Sequence, residues 1–293
     1  MANWYVDPSA TGANNGTSQT DAWTSIVSAL ASASVVSGDI VWCKGSQTLT
    51  ANLTQIAQAS GIIFRAVNDY WISDGTPFVI DSDSTYTIFN WGASRHNIWE
   101  YFTLRRTATG CYFGTAAGNN IFIGCLFELN PSCVGSAGGS VTGQFYRCIF
   151  QNNVTVGGAS LNTSLFDSCV FQNNTTAFTT SGQNNKLVNC HLIDNTNGCV
   201  SGAHLDNCVI DGNSNIGITT PTNTPVTVSR CRITNNGIGV TTGSIGSVYL
   251  IDCVVSDNTI NQTTGSGGVV RILGDTTIAN GLSKYIDRAN KNF

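Results

Sequence analysis

The sequence is 293 residues long, 41% hydrophobic and only 10% charged, with 31 Gly, 31 Asn, 5 Pro and a single Met. Soluble globular domains carry roughly 25% charged residues, so this surface must be built largely from uncharged polar groups. A net charge of −4 gives no basic footprint for nucleic acid, no apolar run approaches the ~20 residues of a membrane helix, and the hydrophobic fraction argues against disorder.

The opening stretch, Met1 to Pro8, has neither a basic nor an apolar region, so no secretory leader is expected. The eleven cysteines, an odd number, are then expected as reduced thiols and not as a disulfide framework. Trp23, Ile26, Val27 and Leu30 recur at helical spacing behind Thr20 and Asp21, which predicts a capped helix. All six tryptophans lie in the first 99 residues, and residues 91–106 gather charge in a chain that is otherwise nearly uncharged. Flat rings beside Arg and carboxylate suit a carbohydrate or the core of a protein interface. Trp91, Arg95, His96, Glu100 and Arg106 are therefore candidate binding residues. The alternative is that Trp23, Trp42 and Trp99 fill a core and the charges are simply solvated.

From residue 125 onward the chain repeats. Cys125, Cys148, Cys169, Cys190, Cys208, Cys231 and Cys253 are 23, 21, 21, 18, 23 and 22 residues apart. Three residues before each stands an apolar side chain, from Phe122 to Leu250, and two after stands another, from Phe127 to Val255. Five after stands asparagine every time: Asn130, Asn153, Asn174, Asn195, Asn213, Asn236 and Asn258. Phe102 fills the Cys place of one earlier unit, with Trp99 and Leu104 in the apolar columns. Alternation along a strand puts Cys and its +2 neighbour on one face, whereas the −3 residue needs a bend to share it. A period near 21 leaves room for short strands and none for helices, so each turn pairs with the next about 4.8 Å away. This predicts an all-β parallel β-helix with Cys stacked inside and Asn at the corners, where it tolerates a left-handed conformation and bonds along a ladder. One domain over 1–293 is expected: an N-terminal strand, capping helix and first turn over 1–60, turns over 61–280, and a tail over 281–293. In that tail Leu282, Tyr285, Ile286, Ala289 and Phe293 recur at helical spacing, as a second cap or as a docking helix.

The outward columns hold few acids. Asp194 and Asp211, at +4 and +3 of consecutive turns, come nearest to a catalytic or metal-binding pair, and the simpler reading is a turn-capping role. Glu128 shares its column with Arg105 of the turn before, and Arg230 shares one with Asp252, so inter-turn ion pairs are expected at both. Cys190, His191, Cys199, His204 and Cys208 superficially suggest zinc. Cys190 and Cys208 belong to the inward column while His191 faces the other way, so no metal and no cofactor is expected.

Trp4 to Gly12, Asn15 to Thr17, Ala22 to Ile26 and Gly38 to Trp42 resemble the opening strand, Gly-Thr loop, capping helix and first-turn strand of the pectate-lyase-like superfamily. With the Cys–Asn units the resemblance spans roughly residues 3–280. It implies the fold, a right-handed parallel β-helix, and leaves the activity open, because the superfamily includes lyases, hydrolases, adhesins and phage proteins. Its lyases use a calcium ion held by several Asp or Glu with an Arg or Lys base, and its hydrolases use paired carboxylates. The opening is most similar to bacteriophage virion or tail-associated members. That similarity implies a non-catalytic decoration, fibre or spike component located on the virion. Its implied partners are other virion proteins or further copies of the chain, a homotrimer included, and host-surface carbohydrate, with no nucleic acid and no membrane insertion. The alternatives are a polysaccharide lyase or glycoside hydrolase, and a carbohydrate-binding adhesin.

Overall fold

The structure, a computed structural model, describes residues 1–53, 60–88, 96–111, 119–134, 142–158, 161–180, 184–200, 203–220, 225–243, 246–264 and 267–279. It is an all-β parallel solenoid whose chain divides into two compact units, Met1–Ile149 and Phe150–Phe293. The expected C-terminal helix lies outside the described residues.

In the N-terminal unit the first sheet runs through Asn3–Val6, Ile40–Lys44, Ile63–Val67, Ile98–Glu100, Asn120–Ile123 and Gly143–Tyr146, all parallel. A second sheet holds Ser46–Thr48, Phe78–Asp81, Phe102–Arg105 and Leu126–Glu128. Inward residues of the first sheet form an aromatic file: Phe64 stacks on Trp99 at 4.1 Å, and Phe122 on Phe145 at 5.2 Å. The helix covers Ile26–Ala31 and starts later than the spacing predicts. Ser25 is its N-cap, accepting from Val27 N–H. Trp23 instead bridges to Val6 in extended backbone and stacks on Trp4, while the Asp21 carboxylate ties down Ala13 and Ser18.

In the C-terminal unit the first sheet runs Leu165–Asp167, Asn185–Val188, Ala203–Asp206, Val226–Ser229, Ser247–Ile251 and Val269–Leu273. The second runs Val170–Gln172, His191–Ile193, Val209–Asp211, Arg232–Thr234, Val254–Ser256 and Thr277–Ile278. A third holds Thr176–Thr179, Asn197–Val200, Ile216–Thr220, Ile238–Thr242 and Ile260–Thr264.

The bend that brings the −3 residue to the Cys side is a single left-handed residue just before each Cys. In the C-terminal unit these are Ser168, Asn189, Asn207, Arg230 and Asp252, with φ between 52° and 57°. All the Cys of the repeat are buried and free. Their thiols are part of the backbone bonding: Cys190 Sγ donates to Phe166 O of the turn before, and Cys231 Sγ accepts from Cys208 N–H. Thr276 continues this file with a hydroxyl, accepting from Cys253 N–H and donating to Leu250 O.

The asparagine column corrects the expectation in one respect. The left-handed corner is the residue before it (Asn152, Asn173, Asp194, Gly212, Asn235 and Asp257). The Asn itself points inward. Asn153, Asn174, Asn195, Asn213 and Asn236 are at most 2% exposed, which only full hydrogen bonding makes tolerable. From Asn174 to Asn236 each Oδ1 accepts both the backbone N–H and the side-chain amide of the Asn one turn earlier, as Asn195 does from Asn174 at 2.9 and 3.0 Å. The Nδ2 groups of the same four donate to the +2 carbonyl of the earlier turn, as Asn195 does to Phe171 at 3.0 Å. In the N-terminal unit Asn130 does the same with Thr107 N–H and Leu104 O.

Candidate functional site

A solenoid with its inside filled offers chemistry only on the outward columns. On the first sheet of the N-terminal unit, register aligns Tyr5, Trp42, Arg65 and Glu100 across four strands. Trp42 is half-exposed here and does not fill the core, since alternation turns it away from buried Val41 and Cys43. Its Nε1 donates to Asn3, the Arg65 guanidinium lies 5.4 Å over its ring, and Arg65 is ion-paired to Glu100. Beside this file Trp71 and Tyr5 meet edge to face at 5.2 Å, and Lys44 lies over the Trp71 ring at 5.2 Å. Lys44 pairs with Asp7 at 2.7 Å. Burial works to raise the Asp7 carboxyl, but the bonds from Lys44 and Ser9 outweigh it and hold the acid below its ordinary range. Trp71 sits at φ 60°, which a bulky residue rarely adopts. It belongs to a loop closed by Asn68, whose Oδ1 accepts from the N–H groups of Tyr70 and Ile72. Three rings and two neutralised charge pairs thus form one platform.

The candidate binding residues divide. Trp91 and Arg95 lie outside the described residues. His96 is exposed, and its Nδ1 accepts from Asn119 N–H. Glu100 is part of the platform. Arg106 occupies the left-handed corner after the second-sheet strand, where it bonds Asp81 at 2.6 Å and Asp83 at 3.0 Å. Arg105 reaches the same Asp81 at 2.8 Å and Glu128 at 3.7 Å, so the expected Arg105–Glu128 pair is present as the longer of two contacts.

On the first sheet of the C-terminal unit the outward columns hold a second group. Lys186 and His204 are register partners on adjacent strands and both are exposed. Asp206, two residues beyond His204, pairs with Arg230 and accepts from Ser229 Oγ at 2.8 Å. Arg230 therefore pairs with Asp206 and not with Asp252, whose Oδ1 accepts from Asp275 N–H. Asp167 accepts from Ser168 and Asn189. Reading the −4 and −2 columns of the repeat, and not only the +3 and +4 columns, brings out Lys186, His204, Asp167 and Asp206 from sequence. Asp211 is engaged by the Thr234 hydroxyl and the Asn235 amide, whereas Asp194 stands exposed at its corner.

The calcium of family lyases does not fit these acids. Calcium takes six to eight oxygens. Asp167 and Asp206 are two strands apart with Val188 between them, each engaged by other partners. Among the described residues no group of three or more His, Cys, Asp or Glu converges on a point. The histidines of the suspected zinc set face outward while Cys190, Cys199 and Cys208 are buried.

No family model and no curated protein matches the sequence. Among solved structures the chain is similar to the A-module of the Azotobacter vinelandii mannuronan C-5 epimerase AlgE4. The two are 15% identical over 83% of this chain and 80% of that one, with a TM-score of 0.59. It is also similar to the pectate lyase Pel9A, 15% identical over 97% of this chain and 79% of that one, with a TM-score of 0.50. ORF18 of Geobacillus virus E2 is 14% identical over 84% of this chain and 56% of that one, at a TM-score of 0.40 too low to weigh. At such identities the likeness is one of fold. Parallel sheets, inward ladders and the two similar enzyme structures agree, and the chain has the parallel β-helix fold of the pectate-lyase-like proteins.

Proposed function

We propose that the protein is a non-catalytic attachment component of a bacteriophage particle, a decoration, fibre or spike subunit whose solenoid binds host-surface carbohydrate. The observation that carries this reading is the platform of Tyr5, Trp42 and Trp71 around the Arg65–Glu100 and Lys44–Asp7 pairs. Indole and phenol rings offer flat apolar faces to sugar C–H groups, and the paired charges offer fixed donors and acceptors to hydroxyls. The uncharged repeat supplies stiffness, and other virion proteins or copies of the chain, as in a homotrimer, are its proposed partners. Glycan-array binding that falls at least about tenfold in Trp42→Ala supports the reading, together with many copies in a mass spectrum of purified virions. Binding indifferent to Trp42 and Arg65, or absence from virions, overturns it.

A second reading, a lyase or epimerase acting on a uronate polymer, is favoured by the Lys186, His204, Asp206 and Arg230 face. Cations hold a sugar carboxylate and a base takes a proton beside it, and the two similar enzymes are named for mannuronan and pectate. Unsaturated product from either polymer, or exchange of the C-5 proton with solvent in mannuronan, abolished by His204→Ala, would establish this reading in place of the first.

A further inference from the structure

A third feature lies away from both outward groups of the first sheets. At the corner between the second and third sheets of the C-terminal unit, Asn173, Asp194 and Gly212 stand in file along three turns, and Thr175, Thr196 and Ser214 stand in file opposite. Between them is an open depression of about 350 Å³ floored by Asn174 and Asn195, within the roughly 300–1,000 Å³ range of small-molecule sites. The floor amides are engaged in the buried ladder. The rim is not: Asn173, Thr175, Asp194, Thr196 and Ser214 are exposed, and none of their side chains bonds another described residue.

The position of Asp194 is set by its neighbour. A Cβ at residue 212 would meet Asp194 Oδ1 at 2.6 Å, so only glycine at that corner leaves the carboxylate room to lie over the next turn. The other described acids of this unit from Asp167 to Asp257 accept bonds from neighbouring groups. Asp194 therefore faces the depression with its acceptors unfilled.

We propose that this corner binds a neutral sugar unit of a glycan, with the Asp194 carboxylate accepting from vicinal hydroxyls. The rim hydroxyls of Thr175, Thr196 and Ser214 and the Asn173 amide exchange bonds with the remainder of the ring. Three hydroxyls, an amide and one carboxylate complement a polyol, whose groups both donate and accept. An acidic sugar is disfavoured, because the lining contains a carboxylate and no cation. The proposal does not depend on the platform, and the two separate experimentally.

The test is calorimetric titration of the full chain with the neutral trisaccharides maltotriose, cellotriose and N,N′,N″-triacetylchitotriose, with trigalacturonate and with calcium chloride. At least one neutral trisaccharide is expected to bind. Asp194→Asn should weaken it at least about tenfold, the scale of a hydrogen bond to a charged acceptor, and Thr196→Val several-fold. Asn already occupies this left-handed corner at residues 152, 173 and 235, so Asp194→Asn preserves the fold. Overturning results are no binding by any neutral trisaccharide, affinity unchanged in Asp194→Asn, trigalacturonate binding as tightly through Asp194, or Asp194-dependent binding of calcium alone. Loss in Trp42→Ala with none in Asp194→Asn would support the platform and refute this site.

Discussion

Replacing Asn195 by alanine tests whether the buried amide ladder holds the turns together. The Asn195 side chain accepts from Asn174 N–H and Asn174 Nδ2 and donates to Phe171 O, Ile193 O and Asn213 Oδ1. Alanine leaves the Asn174 N–H and the Phe171 carbonyl without these partners in a region where Asn174 and Asn195 are 2% and 1% exposed. The Phe171 carbonyl stays within the parallel pairing of Val170–Gln172 with His191–Ile193, so the Asn174 N–H is the group left unsatisfied, and its cost of about 1–3 kcal/mol predicts a loss of about 2 kcal/mol. Thr196→Ala, one residue on and exposed, is the control and should stay within about 0.5 kcal/mol. Urea unfolding followed by far-ultraviolet circular dichroism gives both numbers. Because a solenoid can open turn by turn, hydrogen exchange at Asn174 N–H should be followed alongside, where the variant is expected to lose protection first. A cost for Asn195→Ala below about 1 kcal/mol, or equal to that of Thr196→Ala, refutes the reasoning and reduces the ladder to a by-product of the coil.

Thr220 has a buried hydroxyl with no hydrogen-bond partner among the described residues, so the near-isosteric Thr220→Val should stabilise the protein by about 1 kcal/mol in the same urea experiment, and a loss would refute this. For Asp81, burial raises the carboxyl pKa, but bonds from Arg106, Asp83 N–H and Arg105 outweigh it and hold the acid below its ordinary value. A lowered folded pKa means stability that is present above the unfolded value near 3.9 and lost as pH falls through the folded one. Asp81→Asn should therefore flatten the acid limb of a stability–pH curve below about pH 4, and an unchanged limb would contradict the assignment. The eleven thiols are free and buried, and burial pushes the Cys43 thiol up and that of Cys199 up to about 12. Since the thiolate is the reactive form, Ellman's reagent should label them only at the rate of unfolding. A fast stoichiometric burst in native buffer would mean that some thiol is open to chemistry.

The interior was legible in the sequence because each turn of a solenoid meets a near-copy of itself. Whatever stands in a column meets its own kind, so a column of Cys, Phe or Asn reports its surroundings directly. The −3, 0 and +2 columns therefore declare their inward direction in the sequence itself. Even there a single-residue distinction escaped: the left-handed corner falls one residue before the Asn, because a short polar side chain suits both an αL corner and a buried ladder. The outward columns were less legible. Alternation predicts that Trp42 and Glu100 leave the core, yet their meeting with Arg65, and that of Trp71 with Tyr5 and Lys44, depends on strand register across turns of unequal length and on the loop closed by Asn68. Arg230 shows the same limit: sharing a column with Asp252 suggested a pair, and the side chain turned instead to Asp206 in the turn before. A backbone ladder is imposed by bonds that repeat at every turn, so sequence period alone determined it. Long side chains on the outer face choose among several neighbours within reach, and only the tertiary structure decided which.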